Sequence, residues 1–560
     1  MYIKVTKSAG HSYVQLAQSY RDESGKSRQR VLSTLGRVDE IGGQVDSILN
    51  ALLRAKGRMA DEPQIEFESA LALGDVWALH RLWQEVGFDE LFRVFRRARY
   101  TTAVEHAIRV MVFNRLCDPE SKLGVLRWLE TVSIPEVDTK SLTHQQLLRS
   151  MDALINHQEE VEEVVAQQLR PMVDQDLSLV FYDLTTIGVH GHSELTGDVR
   201  HYGMSQSGLI ARQFMLGVVQ TAEGLPIYHE VFDGNQAEAP TLLPTLKKVL
   251  ARFPHIRRLI IVADRGLLSL DNMEALLEIE LDGGRTLEFI LAVPARRYGD
   301  FLKILTEFDA KITDQTQETI DETCWQEKRL VIAHHPVRAR EQTEWRQAKI
   351  KDLEDKADKW AGKLDHQDTG VKYRGRKISD SGVKAKFYHE VKDAHLANVI
   401  KVDLKSDLFT YQIDKQALKQ AELVDGKLLL VTNVTDLTPQ EIIKRYKSLA
   451  DIERGFRVLK SEIEIAPVHH RLPQRIRAHA MICFMALILY RVMRTRLKMA
   501  KSPLSPERAL AQLKRIQRHQ IKVNDRPLTG VPTLTKEQSE LLGAITLKKS
   551  TQKAQLALDL

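Results

Sequence analysis

The spacing of hydrophobic and polar positions changes twice along the chain. Over the first residues, apolar and polar side chains alternate in Met1–Val5, Ser12–Tyr20 and Arg28–Leu35, and the last two runs flank the polar turn Asp22-Glu-Ser-Gly-Lys26. A period of two predicts strands, hence a small β-module over 1–42 that is too small to stand without docking on something else. From 43 to 175 the period becomes helical, as in Val104–Leu116, Leu123–Leu129 and Gln158–Leu169, with the turn Asp118-Pro-Glu-Ser-Lys122 between the first two.

Between 176 and 294 strand-like runs return: Leu177–Leu184, Arg212–Gln220, Leu225–Phe232, Leu259–Ala263 and Leu287–Val293. The second and third read as a hairpin across Thr221-Ala-Glu-Gly224, and helices are expected at 240–252 and 269–279. Runs this apolar imply a sheet covered on both faces. Residues 295–430 interrupt that core with strands expected within 324–332 and 397–404 around a charged helix, Val337–Leu364. Its stripe of Trp345, Leu353, Ala357, Trp360 and Leu364 reads as packing. The core resumes over 431–500. Leu428–Thr432 is a further strand, Pro439 opens a helix carrying Glu453, and Ala480–Tyr490 is an apolar run shorter than the roughly 20 residues of a membrane span. That run is expected to be a buried helix. Residues 501–560 read as a basic helix, near Pro506–Lys522, and a polar tail.

Composition changes this picture little. A chain of 560 residues, 43% hydrophobic and 28% charged, is expected to be soluble and multidomain. Cys117, Cys324 and Cys483 are too scattered for a disulfide framework or a zinc site. No signal-peptide core follows Met1, so a cytoplasmic location is expected. The net charge of +6 decides nothing, but its distribution does. Ile465–Pro506 lacks any acid while carrying Arg471, Arg475, Arg477, Arg491, Arg494, Arg496, Lys498 and Lys501. Such clustering suits a phosphate-binding surface, although a single basic cluster is about as often a solvated helix face. A second cluster, Arg93–Arg99, tips the balance toward nucleic acid. The helical region with Arg96, Arg97 and Arg115 is a candidate DNA-binding region, without a clear helix-turn-helix signature.

Three acids stand where acids are least expected. Asp183 and Asp264 each close an apolar strand-like run, and Glu453 lies in an amphipathic helix. A carboxylate at a buried strand end needs a cation, a proton or a hydrogen-bond network. Together the three could form an all-oxygen site for a hard divalent cation, the chemistry of metal-dependent phosphoryl transfer. Each has a plainer explanation alone: an Asx turn for either Asp, and an i,i+4 pair with Arg457 for Glu453. Tyr446, Glu453 and Lys460 recur at seven-residue intervals, with Arg457 one turn after Glu453, so one continuous helix would present all four on one face.

At these residues the chain resembles the bacterial insertion-sequence transposases of the DDE class, in the branch whose ribonuclease H-like core is split by a large insertion before the catalytic Glu. The resemblance spans about 176–500. It rests on Tyr182-Asp183-Leu-Thr-Thr186, Gly217–Pro226, Gly234-Asn-x-x-Glu238, Val262-Ala-Asp264-Arg-Gly266, Ile452-Glu453-Arg-Gly-Phe-Arg457-Val-Leu-Lys460 and Arg475-Ile-Arg477-Ala-His479. It implies a multidomain α/β protein: a ribonuclease H-like mixed sheet flanked by helices (core parts 176–294 and 431–500), an inserted α+β subdomain at 295–430, and the N-terminal β-module and helical region. It also implies that Asp183, Asp264 and Glu453 bind two Mg²⁺ ions, with Mn²⁺ a possible substitute. Tyr446, Arg457, Lys460, Arg265, Arg475 and Arg477 would contact DNA. Leu449 departs from the family pattern, which has Arg there. Expected partners are the terminal inverted repeats of the element and target DNA, with a homodimer on paired ends, nucleoid association when DNA is bound, and no membrane. Trp325 is a candidate for stacking on a flipped base. A ribonuclease H-like nuclease without joining activity, or an inactive DNA-binding remnant, are the alternatives.

Overall fold

The computed structural model describes the chain apart from residues 42–44, 58–64, 99, 101–102, 174–175, 192–194, 205–209, 238, 257, 264–276, 278–279, 282–284, 313–315, 370–376, 449, 524–525 and 547–560, and apart from the side chains at 45–48, 176–181, 183, 204, 239, 263, 280–281, 285–286 and 450–454. It divides into two compact units, Met1–Ala70 with Arg518–Pro532, and Leu71–Gln517 with Thr533–Leu560.

In the first unit, β1 (Tyr2–Ser8), β2 (His11–Arg21) and β3 (Ser27–Arg37) fall on the expected strands and form an antiparallel meander. A second sheet joins β4 (Ile65–Ala72) to two strands from near the C-terminus, β18 (Gln517–Val523) and β19 (Arg526–Gly530), in the order β19-β18-β4. Lys522 pairs with Glu68 at 2.6 Å, and the Ser69 hydroxyl donates to the Gln520 side chain. Two sequence expectations fail here. The basic helix near Pro506–Lys522 ends at Leu513, and 43–175 is not wholly helical. The reason is local: Ile65-Glu-Phe67-Glu alternates apolar and charged residues, a strand period.

The second unit is built on a nine-stranded mixed sheet. Its strands are β5 (Asp176–Gly188), β6 (His201–Met204), β7 (Ile210–Thr221), β8 (Pro226–Asp233), β9 (Arg258–Ala263), β12 (Glu288–Ala292), β13 (Thr319–Trp325), β14 (Lys328–His334) and β17 (Lys427–Thr432). Short separate ladders pair β10 (Glu280–Leu281) with β11 (Arg285–Thr286), and β15 (Ile400–Val402) with β16 (Tyr411–Ile413). The sheet runs β13-β14-β17-β12-β9-β5-β7, with β6 and β8 also pairing with β7. β5, β9 and β12 are mutually parallel and the other pairings antiparallel. Arg258 fastens this centre, its guanidinium donating to Glu288 at 2.6 Å and to Asp436 at 2.7 Å.

Within 295–430, the strand expected across 324–332 is a hairpin, and it extends the central sheet through β14 and β17. Gln326 and Glu327 turn it at φ of 48° and 61°, a left-handed pair that apolar periodicity does not report. The charged helix runs Pro336–Asp368 and shares a separate core with helix Asp380–Asp393, centred on Leu353, Phe387 and Val391. The apolar run near the C-terminus lies in a 27-residue helix, Pro473–Met499. That helix is long and apolar enough to cross a membrane, yet 94% of its most apolar window is buried in protein. It is a core helix, longer than the apolar run because polar residues continue it at both ends.

His229 on β8 is buried and stacked on Phe484 of that helix, with ring centroids 4.4 Å apart. Burial holds its imidazole down to about 4, against an ordinary value near 6.5. The unfolded chain then binds more protons between these values, so this contribution is present above about pH 6.5 and is lost as pH falls toward 4. His229→Phe, which keeps the stack, is expected to flatten that loss by up to about 1.4 kcal/mol per pH unit. Urea unfolding of both proteins at neutral and at mildly acidic pH measures it.

Candidate active site

The backbone brings the elements of the acidic triad to one region. Phe181 of β5 pairs in parallel with Val262 of β9, and β9 ends at Ala263. On the other side of β5, Asp183 lies opposite Val218 of β7. Glu453 belongs to helix Ala450–Ser461. That helix is seated by Gly455, which is buried. A Cβ there would lie 2.8 and 2.9 Å from the Gln220 amide atoms and 3.0 Å from the Arg491 guanidinium. The helix thus rests on the end of the Gln220 side chain, at a residue of β7 two positions from the partner of Asp183. The segment after the helix returns to β5: His190 N donates to the Val468 carbonyl at 2.9 Å, and Val468 N to Gly188 at 3.2 Å. The His190 and His469 rings stack there, 4.7 Å apart.

Asp264 and Arg265 lie outside the described residues, as do the side chains of Asp183 and Glu453. Among the described residues, no group of three His, Cys, Asp or Glu side chains could hold a metal. The proposed donors are all carboxylate oxygens, which suit a hard divalent cation. The surroundings are polar as well as buried. Gln220 is 0% exposed and neither of its amide atoms has a hydrogen-bond partner among the described residues, and the buried Thr185 hydroxyl has none either. The sequence pattern placed Arg491 only within the basic cluster and did not single out Gln220. The available signal was a Gln within the apolar run of β7.

The expected DNA contacts fall into different settings. Tyr446 belongs to helix Pro439–Lys447, capped by Ser448, and Glu453, Arg457 and Lys460 to the next. The single helix expected from Pro439 is therefore two, Pro439–Lys447 and Ala450–Ser461, with residue 449 between them outside the described residues. Thr438 and Glu441 form a capping box that fixes the start of the first helix. Arg457 is exposed, Lys460 half-buried. Arg475 is held in a two-pronged ion pair with Asp152 at 2.8 and 2.7 Å, which raises its already high pKa. Arg477 donates to the Val231 carbonyl at 3.1 Å and lines a cavity of about 650 Å³ beside Glu230 and Lys248. Trp325 packs against Phe301, with centroids 5.1 Å apart.

Residues 174–489 match the family model of the transposase DDE domain, and residues 3–64 match that of the IS1634 family transposase N-terminal domain. The first match covers more than half of the chain, which therefore belongs to the DDE transposases. It is an insertion-sequence transposase, a metal-dependent enzyme that cleaves and transfers DNA. A comparison with curated proteins found no match.

Proposed function

We propose that Asp183, Asp264 and Glu453 are the catalytic carboxylates and hold two Mg²⁺ ions, which Mn²⁺ can replace. The observation that carries this reading is the convergence of β5, the end of β9 and the Gly455-seated helix. Bound Mg²⁺ would supply an activated hydroxyl and neutralise charge on the leaving oxygen. The carboxylates fix where that charge is placed. Arg457 and Lys460, on the same helix as Glu453, hold the phosphates flanking the scissile bond, and Tyr446 and Arg265 add contacts. Arg475 and Arg477 join only by exchanging Asp152 and Val231 for phosphate.

In this reading the core is ribonuclease H-like, in parts 176–294 and 431–500 around the subdomain 295–430. The helical region 43–175 and the basic C-terminal surface grip the terminal inverted repeats, and two copies act on paired ends in the cytoplasm, at the nucleoid. The freed 3′-hydroxyl then attacks target DNA.

The test is a reaction of terminal-repeat duplex with supercoiled target. Covalent donor–target products are expected with Mg²⁺ or Mn²⁺, none with EDTA, and restored yield when metal is added back. Cleavage without joined products would instead identify a nuclease.

A further inference from the structure

A cluster of basic side chains is buried beneath the segment linking the Glu453 helix to the long core helix, and among the described residues no carboxylate neutralises it at contact distance. Lys122 is 6% exposed, Arg115 4% and His479 6%, and part-buried His470 lies beside His479 with ring centroids 5.7 Å apart. Arg115 spends both terminal nitrogens on uncharged acceptors, the carbonyls of Ile463, Glu464 and Glu120 and the Asn114 side chain. Its Nε has no hydrogen-bond partner among the described residues, and no hydrogen bond or ion pair of the Lys122 side chain is found among them. His479 Nε2 lies 3.1 Å from the Ile465 carbonyl and 3.6 Å from the Cys483 thiol. The nearest acids act on Arg115 only at longer range. Glu120 turns its carboxylate to Gly124 and Arg127, and Glu464 is exposed.

Cations removed from water without a counter-charge are costly. Burial and the neighbouring Arg115 charge accordingly push the Lys122 ammonium down to about 7, while burial and the charges of Lys122, Arg475, His469 and Arg115 push His470 to about 3. A bound oxyanion relieves this repulsion and accepts from the donors left over.

We propose that Lys122, Arg115 and His470 form a binding site for a phosphate-class oxyanion, separate from the triad carboxylates and roofed by residues 463–470. The chemistry fits a DNA backbone phosphate or free inorganic phosphate. The site's location favours neither source by itself, but the roof pairs with the end of β5, so occupancy would brace the link between Asp183's strand and Glu453's helix.

The test uses the full chain, with Lys122→Met and His470→Asn as two independent variants. Inorganic phosphate, against sodium chloride of equal ionic strength, is expected to raise the melting temperature of the unaltered protein by about 2–4 °C and that of either variant by much less. Lys122→Met should melt no lower than the unaltered protein without phosphate, because it removes an unpaired buried charge. Binding to terminal-repeat duplex separates the sources. About tenfold weaker binding by Lys122→Met, with the salt slope reduced by about one, identifies a DNA phosphate. Unchanged DNA binding identifies a free anion. Equal phosphate shifts in all three proteins, or no shift in any, would overturn the site. The phosphate arm involves neither DNA nor catalysis, so it fails or succeeds independently of the proposed triad.

Discussion

Asp183→Asn is expected to reduce strand cleavage and strand transfer by about 10³-fold or more, the scale seen when a principal charge-stabilising group is removed from phosphoryl transfer, while binding to the terminal repeat stays within about twofold. Asn matches Asp in shape, so the pairing of β5 with β7 and β9 is kept and only the anionic donor is lost. Position 183 is paired with Val218, and the strand pleat puts such partners on one face. Gln220, two residues on, shares that face and touches the helix of Glu453. Loss of charge there should cost chemistry and not folding, because Asn keeps the size and shape of Asp. Asp264→Asn and Glu453→Gln are expected to behave alike. Cleavage assays beside fluorescence anisotropy on the same duplex decide it. Unchanged transposition in any one variant removes that residue from the mechanism.

Gly234→Ala is the second large effect, and it acts on the fold. Gly234 follows β8 where β6 and β8 meet along β7. A Cβ there would sit 1.9 Å from the Gln213 carbonyl oxygen, 2.7 Å from its carbon and 2.9 Å from the His201 carbonyl oxygen. All three atoms are backbone, so no side chain can swing aside. The Gly234 amide donates to Val199 at 3.0 Å, and its carbonyl accepts from Gln213 Nε2 at 3.0 Å, which pins the residue on both sides. A methyl group must separate two strands, at a cost of about 3 kcal/mol or more. Gly299→Ala is the control, since a Cβ there meets nothing within 4 Å, and it is expected to change stability by less than about 0.5 kcal/mol. Chemical unfolding of the two variants should differ accordingly. Equal stability would mean that the close approach at Gly234 is absent.

Much of this arrangement was legible in the residues. Apolar runs located β5, β7, β8, β9, β12 and β17 because each buries both faces, and Gln158–Leu169 is a helix with those very ends. What stayed hidden depends on partners distant in sequence. β18 lies between β19 and β4 in its sheet, and nothing local to Gln517–Val523 names a partner so far upstream. The turn at Gln326–Glu327 uses left-handed backbone without glycine, so its usual marker is missing. The break after Lys447 escaped notice because Tyr446–Lys460 keeps helical spacing across it.

The candidate site was readable in part for the same physical reason. Acids at the ends of apolar strands stand out against their surroundings, whereas Gln220 and Arg491 matter only through the contact made at Gly455. Arg475 looked free for DNA because its partner, Asp152, lies in a distant helix. Its bidentate pair turns a surface charge into a tie between helices His144–Asn156 and Pro473–Met499.

The most direct measurement is anomalous diffraction from crystals of the protein with its terminal-repeat duplex and Mn²⁺. Manganese peaks within coordination distance of carboxylate oxygens from Asp183, Asp264 and Glu453 together are the predicted result. Peaks bound by other residues, or a carboxylate of the three pointing away while the DNA is engaged, would contradict it.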